Sequence, residues 1–185
     1  GEDITFTHEI ERAVIEVPTV KSDIINKNIG YLRIIQFTPN TPDKVKEALD
    51  NFNKKRIKSL VIDLRSNPGG VLDAAVDIAD MFLDDGVIVS TKGKGPSPSL
   101  NQVYKATKKI RLSKSVPIAV LIDKGSASAS EILSAALSDN GRAVLIGETS
   151  YGKGSVQQVR ALGKDGFKLT MSKYYTPKDV NINKV

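Results

Sequence analysis

Residues 59–70 read Ser59-Leu60-Val61-Ile62-Asp63-Leu64-Arg65-Ser66-Asn67-Pro68-Gly69-Gly70. A short, nearly all-apolar run such as 59–64 reads as a strand buried on both faces, as parallel strands are. Asn67-Pro68-Gly69-Gly70 breaks it. Leu72, Ala75, Val76, Ala79, Phe82 and Leu83 then recur at helical spacing. The same alternation extends in both directions. Upstream, residues 28–37 read as a strand. Thr41-Pro42 supplies an N-cap and a first-turn proline for a helix over 42–55, with Val45, Ala48, Leu49 and Phe52 on one face. Downstream, Ile118–Ile122 and Ala143–Ile146 read as buried strands on either side of a helix over 128–139. Strand and helix in strict alternation imply a layered α/β domain with mostly parallel strands and right-handed crossover helices.

The remaining segments are less regular. Val87-Ile88-Val89 is a short strand, residues 93–99 a mobile Gly/Pro/Ser loop, and 100–106 a strand returning toward the sheet. Residues 155–162 and 167–175 pair as a C-terminal hairpin across Gly163-Lys164-Asp165-Gly166. The first 27 residues are weakly patterned and read as a linker or edge segment.

Composition narrows the function. The chain has 185 residues, enough for one domain with a real core. Its net charge is +6, but the lysines are scattered and aromatics are only 5% of residues. Nucleic-acid binding would need them clustered and interleaved. No apolar run approaches the length of a membrane span, so stable membrane insertion is not expected. Zero cysteines excludes a thiolate nucleophile and a zinc–thiolate site. No metal or other cofactor is expected. The single histidine, His8, lies in the weakly patterned N-terminal segment. Nucleophilic acyl chemistry in this chain would therefore need a lysine as its base.

Two stretches fit that requirement. Gly125-Ser126-Ala127-Ser128-Ala129-Ser130-Glu131-Ile132 places serines in a cramped turn at a helix N-terminus. Small residues let the backbone turn sharply there, and unpaired N–H groups face whatever the serine attacks. The turn alone leaves Ser126, Ser128 and Ser130 open as nucleophile, and it also fits an ordinary capping box. Gly152-Lys153-Gly154-Ser155-Val156-Gln157 places a lysine between glycines. It almost completes a phosphate-binding loop from Gly147, but Gly154 stands where the magnesium-binding hydroxyl belongs, and a strand rather than a helix follows. An acid–base role suits Lys153 better, since a lysine can serve as a general base. Gln157 reaches it only if the strand bends.

Together, four segments resemble the carboxyl-terminal processing, or tail-specific, serine proteases. They are Ile29-Gly30-Tyr31-Leu32-Arg33-Ile34 with Phe37, Asp63 to Gly70, Gly125 to Ile132, and Gly152 to Gln157, in that family's order. The resemblance implies a fold of the Clp-protease and crotonase kind and a Ser/Lys dyad. It implies Ser128 as nucleophile, Lys153 as general base and Gln157 as the residue orienting the lysine. The oxyanion donors would be the Ala129 amide and an amide of Gly69 or Gly70, with Arg65 holding the loop. It further implies cleavage of protein or peptide substrates near their C-termini, without nucleic-acid partners, in the periplasm, outside the cell or at the cell envelope. Homo-oligomerisation is left open. Such proteases carry a PDZ domain before the core, so 1–27 is expected to follow a missing PDZ domain and 28–185 to be the protease core. The rival reading is an inactive core serving as a binding module, like the retinoid-binding repeats.

Overall fold

The computed structural model describes Glu9 and residues 17–95, 100–163 and 165–183, with backbone alone at 158–160, 162 and 168. His8, residues 96–99 of the expected loop and Lys164 of the hairpin turn lie outside the described residues.

The apolar run 59–64 forms β3 (Ser59–Asp63), the centre of a five-stranded sheet. It lies between β2 (Ile29–Ile34) and β6 (Ile118–Ile122), parallel to both. β7 (Ala143–Gly147) extends the parallel set beside β6. β1 (Val20–Ile25) closes the other edge, antiparallel to β2. The helices α1 (Thr41–Lys55), α2 (Leu72–Asp80) and α3 (Ala129–Asp139) cross between strands. Leu32, Ile34, Leu60, Ile62, Ile118 and Val120 from the strands join Val45, Leu49, Phe52, Ile78, Leu133 and Ala136 from the helices in one core. Each large side chain buried in this way stabilises the fold by about 1.5–3 kcal/mol. The alternation of buried and half-buried residues along β2 follows, with Tyr31 and Arg33 facing the opposite side.

β4 (Val87–Gly93), β5 (Gln102–Lys105), β8 (Ser155–Leu162) and β9 (Asp165–Tyr175) form a second, antiparallel sheet in the order β5-β4-β9-β8. The C-terminal hairpin is therefore one half of a sheet. The strand expected to return toward the parallel sheet pairs with β4 instead.

Three sequence expectations change in detail. Asn40, not Thr41, is the N-cap of α1. Thr41 is fully buried, and its hydroxyl donates to Gln36 O and accepts from Thr38 N–H, each at 2.9 Å. It is occupied closing the turn before the helix and cannot also cap it. β7 is not buried: Val144 is 62% and Ile146 52% exposed, and among the described residues no strand pairs with its outer edge. Residues 20–25, weakly patterned in sequence, join the sheet as β1 because backbone pairing with β2 does not need an apolar side-chain pattern.

Candidate active site

Three loops leave the C-terminal ends of parallel strands, where open α/β sheets place their ligands. They are Leu64–Gly70 after β3, Asp123–Ser128 after β6, and Glu148–Gly154 after β7.

The first loop is anchored by Asp63, whose side chain is fully buried. Its carboxylate accepts from Arg65 Nε at 2.9 Å, Arg65 Nη2 at 2.7 Å, the Arg65 amide at 3.0 Å and the Tyr31 hydroxyl at 2.6 Å. Burial alone would push this carboxyl up, but the Arg65 and Tyr31 hydrogen bonds outweigh it and hold its pKa at about 2. The loop ends at two glycines for two separate steric reasons. A Cβ on Gly70 (φ +145°) would lie 1.9 Å from Phe37 O. A Cβ on Gly69 (φ +97°) would lie 2.5 Å from Ala127 O and 2.9 Å from Ser128 Cβ. The glycine loop therefore rests directly on the serine turn.

The turn separates its three serines. Ser126 is fully buried and its hydroxyl donates to Leu64 O at 2.8 Å. Ser130 is fully buried and donates to Asn67 O at 2.9 Å. Ser128 is partly exposed and sits at φ 55°, ψ −112°, a backbone conformation costly for a residue with a Cβ. The Ala129 and Gly70 amides donate to no other group among the described residues. The Gly69 amide is already engaged with Asn67 Oδ1 at 2.9 Å.

Glu131, one turn into α3 and only 6% exposed, joins this turn to the lysine loop. Its Oε2 accepts from the Ser128 amide at 2.7 Å and the Lys153 amide at 2.9 Å. Its Oε1 accepts from the Gly152 amide at 2.6 Å and the Ser150 hydroxyl at 2.7 Å. Tyr151 N–H adds a bond to Ser126 O at 2.9 Å. The capping box that the sequence allows is formed between Ser128 and Glu131; the bonds of Glu131 to Ser150, Gly152 and Lys153 leave no local signal in the sequence. Asp123 was missed. It accepts from the Ser66 amide at 2.8 Å and the Gly125 amide at 2.9 Å, tying the first two loops together.

Lys153 is half-buried, and no hydrogen bond joins its Nζ to Ser128 Oγ among the described residues. Gln157 is exposed on β8, where its backbone pairs with Thr170, and it makes no hydrogen bond to Lys153 among the described residues. The fold thus brings the Ser128 and Lys153 backbones onto one carboxylate, and Gln157 stands apart from that network.

The sequence profile described as Peptidase family S41 matches residues 28–185. This chain belongs to that family. Among S41 relatives, it is 44% identical over 188 residues to a carboxy-terminal-processing protease of Bartonella bacilliformis, covering 98% of this chain and 42% of that protein. It is 37% identical over 189 residues to the chloroplastic carboxyl-terminal-processing peptidase 2 of Arabidopsis thaliana, covering 98% and 36% respectively. The solved structure of a photosystem II D1 C-terminal processing protease superposes with a TM-score of 0.80 at 30% identity, over 91% of this chain and 46% of that one. The chain spans about two-fifths of the length of the curated S41 relatives it matches.

Proposed function

We propose that this chain is the catalytic core of a serine endopeptidase that cleaves proteins near their C-termini. The observation that carries this reading is the Glu131 carboxylate, which holds the amides of Ser128 and Lys153 on one oxygen. A buried carboxylate with four donors is a costly device for a passive turn, and it fits a pair of side chains that must meet. The curated relatives, named as carboxy-terminal-processing proteases, support the same chemistry.

In this reading the unprotonated amine of Lys153 takes the proton of Ser128 as Oγ attacks the scissile carbonyl. The new C–O bond pushes the carbonyl electrons onto oxygen. The Ala129 amide at the start of α3 and the free Gly70 amide then hold the oxyanion, an arrangement that typically lowers a barrier by about 3–4 kcal/mol per donor. Lysine returns the proton to the leaving amine, and an acyl-enzyme remains. Water, deprotonated by the same lysine, hydrolyses it. Gln157 is the proposed residue orienting the lysine. Protein C-termini are the proposed partners, a PDZ domain in the full-length protein the proposed means of delivering them, and the cell envelope the proposed setting. Residues 28–185 would form the protease core.

A fluorophosphonate probe and a peptide-cleavage assay on the full-length protein test this. Ser128→Ala should abolish both labelling and cleavage. Lys153→Arg should abolish cleavage, because a guanidinium keeps its proton at neutral pH. Cleavage retained in either variant overturns the assignment.

A further inference from the structure

Asn67 is fully buried, and every polar group it owns is engaged. Its amide donates to Leu64 O at 3.2 Å, and its carbonyl accepts from the Ala127 amide at 3.0 Å and the Ser130 hydroxyl at 2.9 Å. Its side-chain Nδ2 donates to Ile34 O at 2.7 Å, and Oδ1 accepts from the Gly69 amide at 2.9 Å. A carbonyl can only accept and an amide N–H can only donate, so the two ends of this side chain cannot be exchanged. Aspartate would lose the donor, and leucine would lose both bonds. One residue thus ties the end of β2, the end of β3, the glycine loop, the serine turn and α3 together.

The consequence falls on the Gly69–Gly70 peptide. Phe37 N–H donates to Gly69 O at 3.0 Å, and Val71 N–H donates to Phe37 O at 2.9 Å. No peptide bond in the described chain is cis. In a trans peptide the C=O and N–H point in opposite directions. Pulling Gly69 O toward Phe37 therefore turns Gly70 N–H to the other side. The Asn67 bond to the Gly69 amide sets the preceding peptide, which holds Gly69 at its positive φ against Ala127, Ser128 and Ala129. Without that bond, the Gly69 amide would be free to compete for the same oxyanion, and the glycines would be free to rotate.

We propose that Asn67 is the positioning residue of the oxyanion hole, acting through Gly69 to present the Gly70 amide beside Ser128. The inference rests on the Ser128 assignment above. Asn67 does not touch the substrate; it acts on the orientation of a donor that is needed only once negative charge forms. Its removal should therefore lower kcat and leave KM nearly unchanged.

The test uses the full-length protein and a chromogenic peptide, with wild-type labelling at Ser128 by a fluorophosphonate established first. If Ser128 does not label in wild type, the functional reading itself fails, and Asn67 is not at issue. Given labelling, Asn67→Leu should lower kcat at least tenfold, toward the ~10²–10³ expected for a lost oxyanion donor, with KM within about twofold. Affinity for a peptide aldehyde, whose hemiacetal oxygen occupies the hole, should fall in parallel. Affinity for the uncleaved peptide, measured in a Ser128→Ala background, should not. Asn67→Ser loses the Ile34 bond but can still accept from the amide two residues on. It should recover most of kcat, while a merely structural role would leave the two variants alike. Equal kcat in the two folded variants, or a rise in KM with kcat intact, overturns the proposal. Should Asn67→Leu fail to fold, Asn67→Ala, which also loses both side-chain bonds, takes its place and the same contrast with Asn67→Ser decides: a kcat at least tenfold below that of Asn67→Ser upholds the proposal, and equal kcat overturns it.

Discussion

The carboxylate of Glu131 and the backbone amide of Lys153 meet at 2.9 Å, although 22 residues and a parallel strand separate them in the chain. The same oxygen holds the amide of Ser128 at 2.7 Å. The lysine loop is therefore seated on the helix that carries the serine. Glu131→Gln keeps the volume but turns an N–H₂ toward donors that need an acceptor. Each buried donor left unpaired costs about 1–3 kcal/mol. The variant should unfold at lower urea and lose fluorophosphonate labelling while still folded. Normal labelling at normal stability would show that the clamp is not needed.

Ser128 sits at φ 55°, where a Cβ is strained and glycine is not. Strain of this kind is worth about 1–3 kcal/mol. Ser128→Gly and Ser128→Ala should both be inactive, but the glycine variant should be the more stable of the two. Denaturant midpoints of the pair, measured side by side, check this. An alanine variant as stable as the glycine variant would mean the turn is relaxed.

Gly70→Ala should be among the most damaging small changes in the chain. The added methyl meets Phe37 O at 1.9 Å, and that oxygen is itself held by the Val71 amide. The backbone must move, and the free amide moves with it. Labelling of Ser128 should fall by at least tenfold, in line with a lost oxyanion donor. Wild-type labelling would remove Gly70 from the hole.

Asp63 sets an acid limit on stability. Burial raises its pKa, but the Arg65 and Tyr31 bonds prevail and hold it at about 2, below the usual unfolded value near 3.9. A carboxyl depressed on folding contributes stability that is complete above the unfolded pKa and is lost as pH falls through the folded one. The wild-type urea midpoint should therefore drop between about pH 4 and pH 2. Asp63→Asn should start lower at pH 6 and show a shallower decline over that window. Parallel slopes in the two proteins would assign the acid transition to other groups.

Much of this was legible along the chain. Runs such as Leu60-Val61-Ile62 and the helical spacing of Val45, Leu49 and Phe52 depend only on local periodicity, and the strands and helices follow it. Thr41 misled, because a hydroxyl suited to capping was committed to the preceding turn. Ala143–Ile146 misled in another way. Its composition is that of a buried strand, but whether a strand lies at an edge depends on what pairs beside it, which no local pattern encodes.

The candidate site divides along the same line. Ser128, Lys153 and the two glycines were identifiable as residue types in motifs, because a nucleophile, a base and a close backbone approach each leave a local mark. The partners of those groups left almost none. Glu131 became the bridge between two loops, and Asn67 the peg under the glycine loop, only once β3, β6 and β7 lay side by side. Ser126 and Ser130 spend their hydroxyl protons on Leu64 O and Asn67 O, some sixty residues away in the chain, whereas the Ser128 side chain only accepts, from the Glu131 amide of its capping box. The sequence by itself determined the strand–helix order and the reactive side chains, since both follow from spacing and chemical type. The tertiary structure alone decided which donors remain unspent, since a hydrogen bond is satisfied by proximity in space.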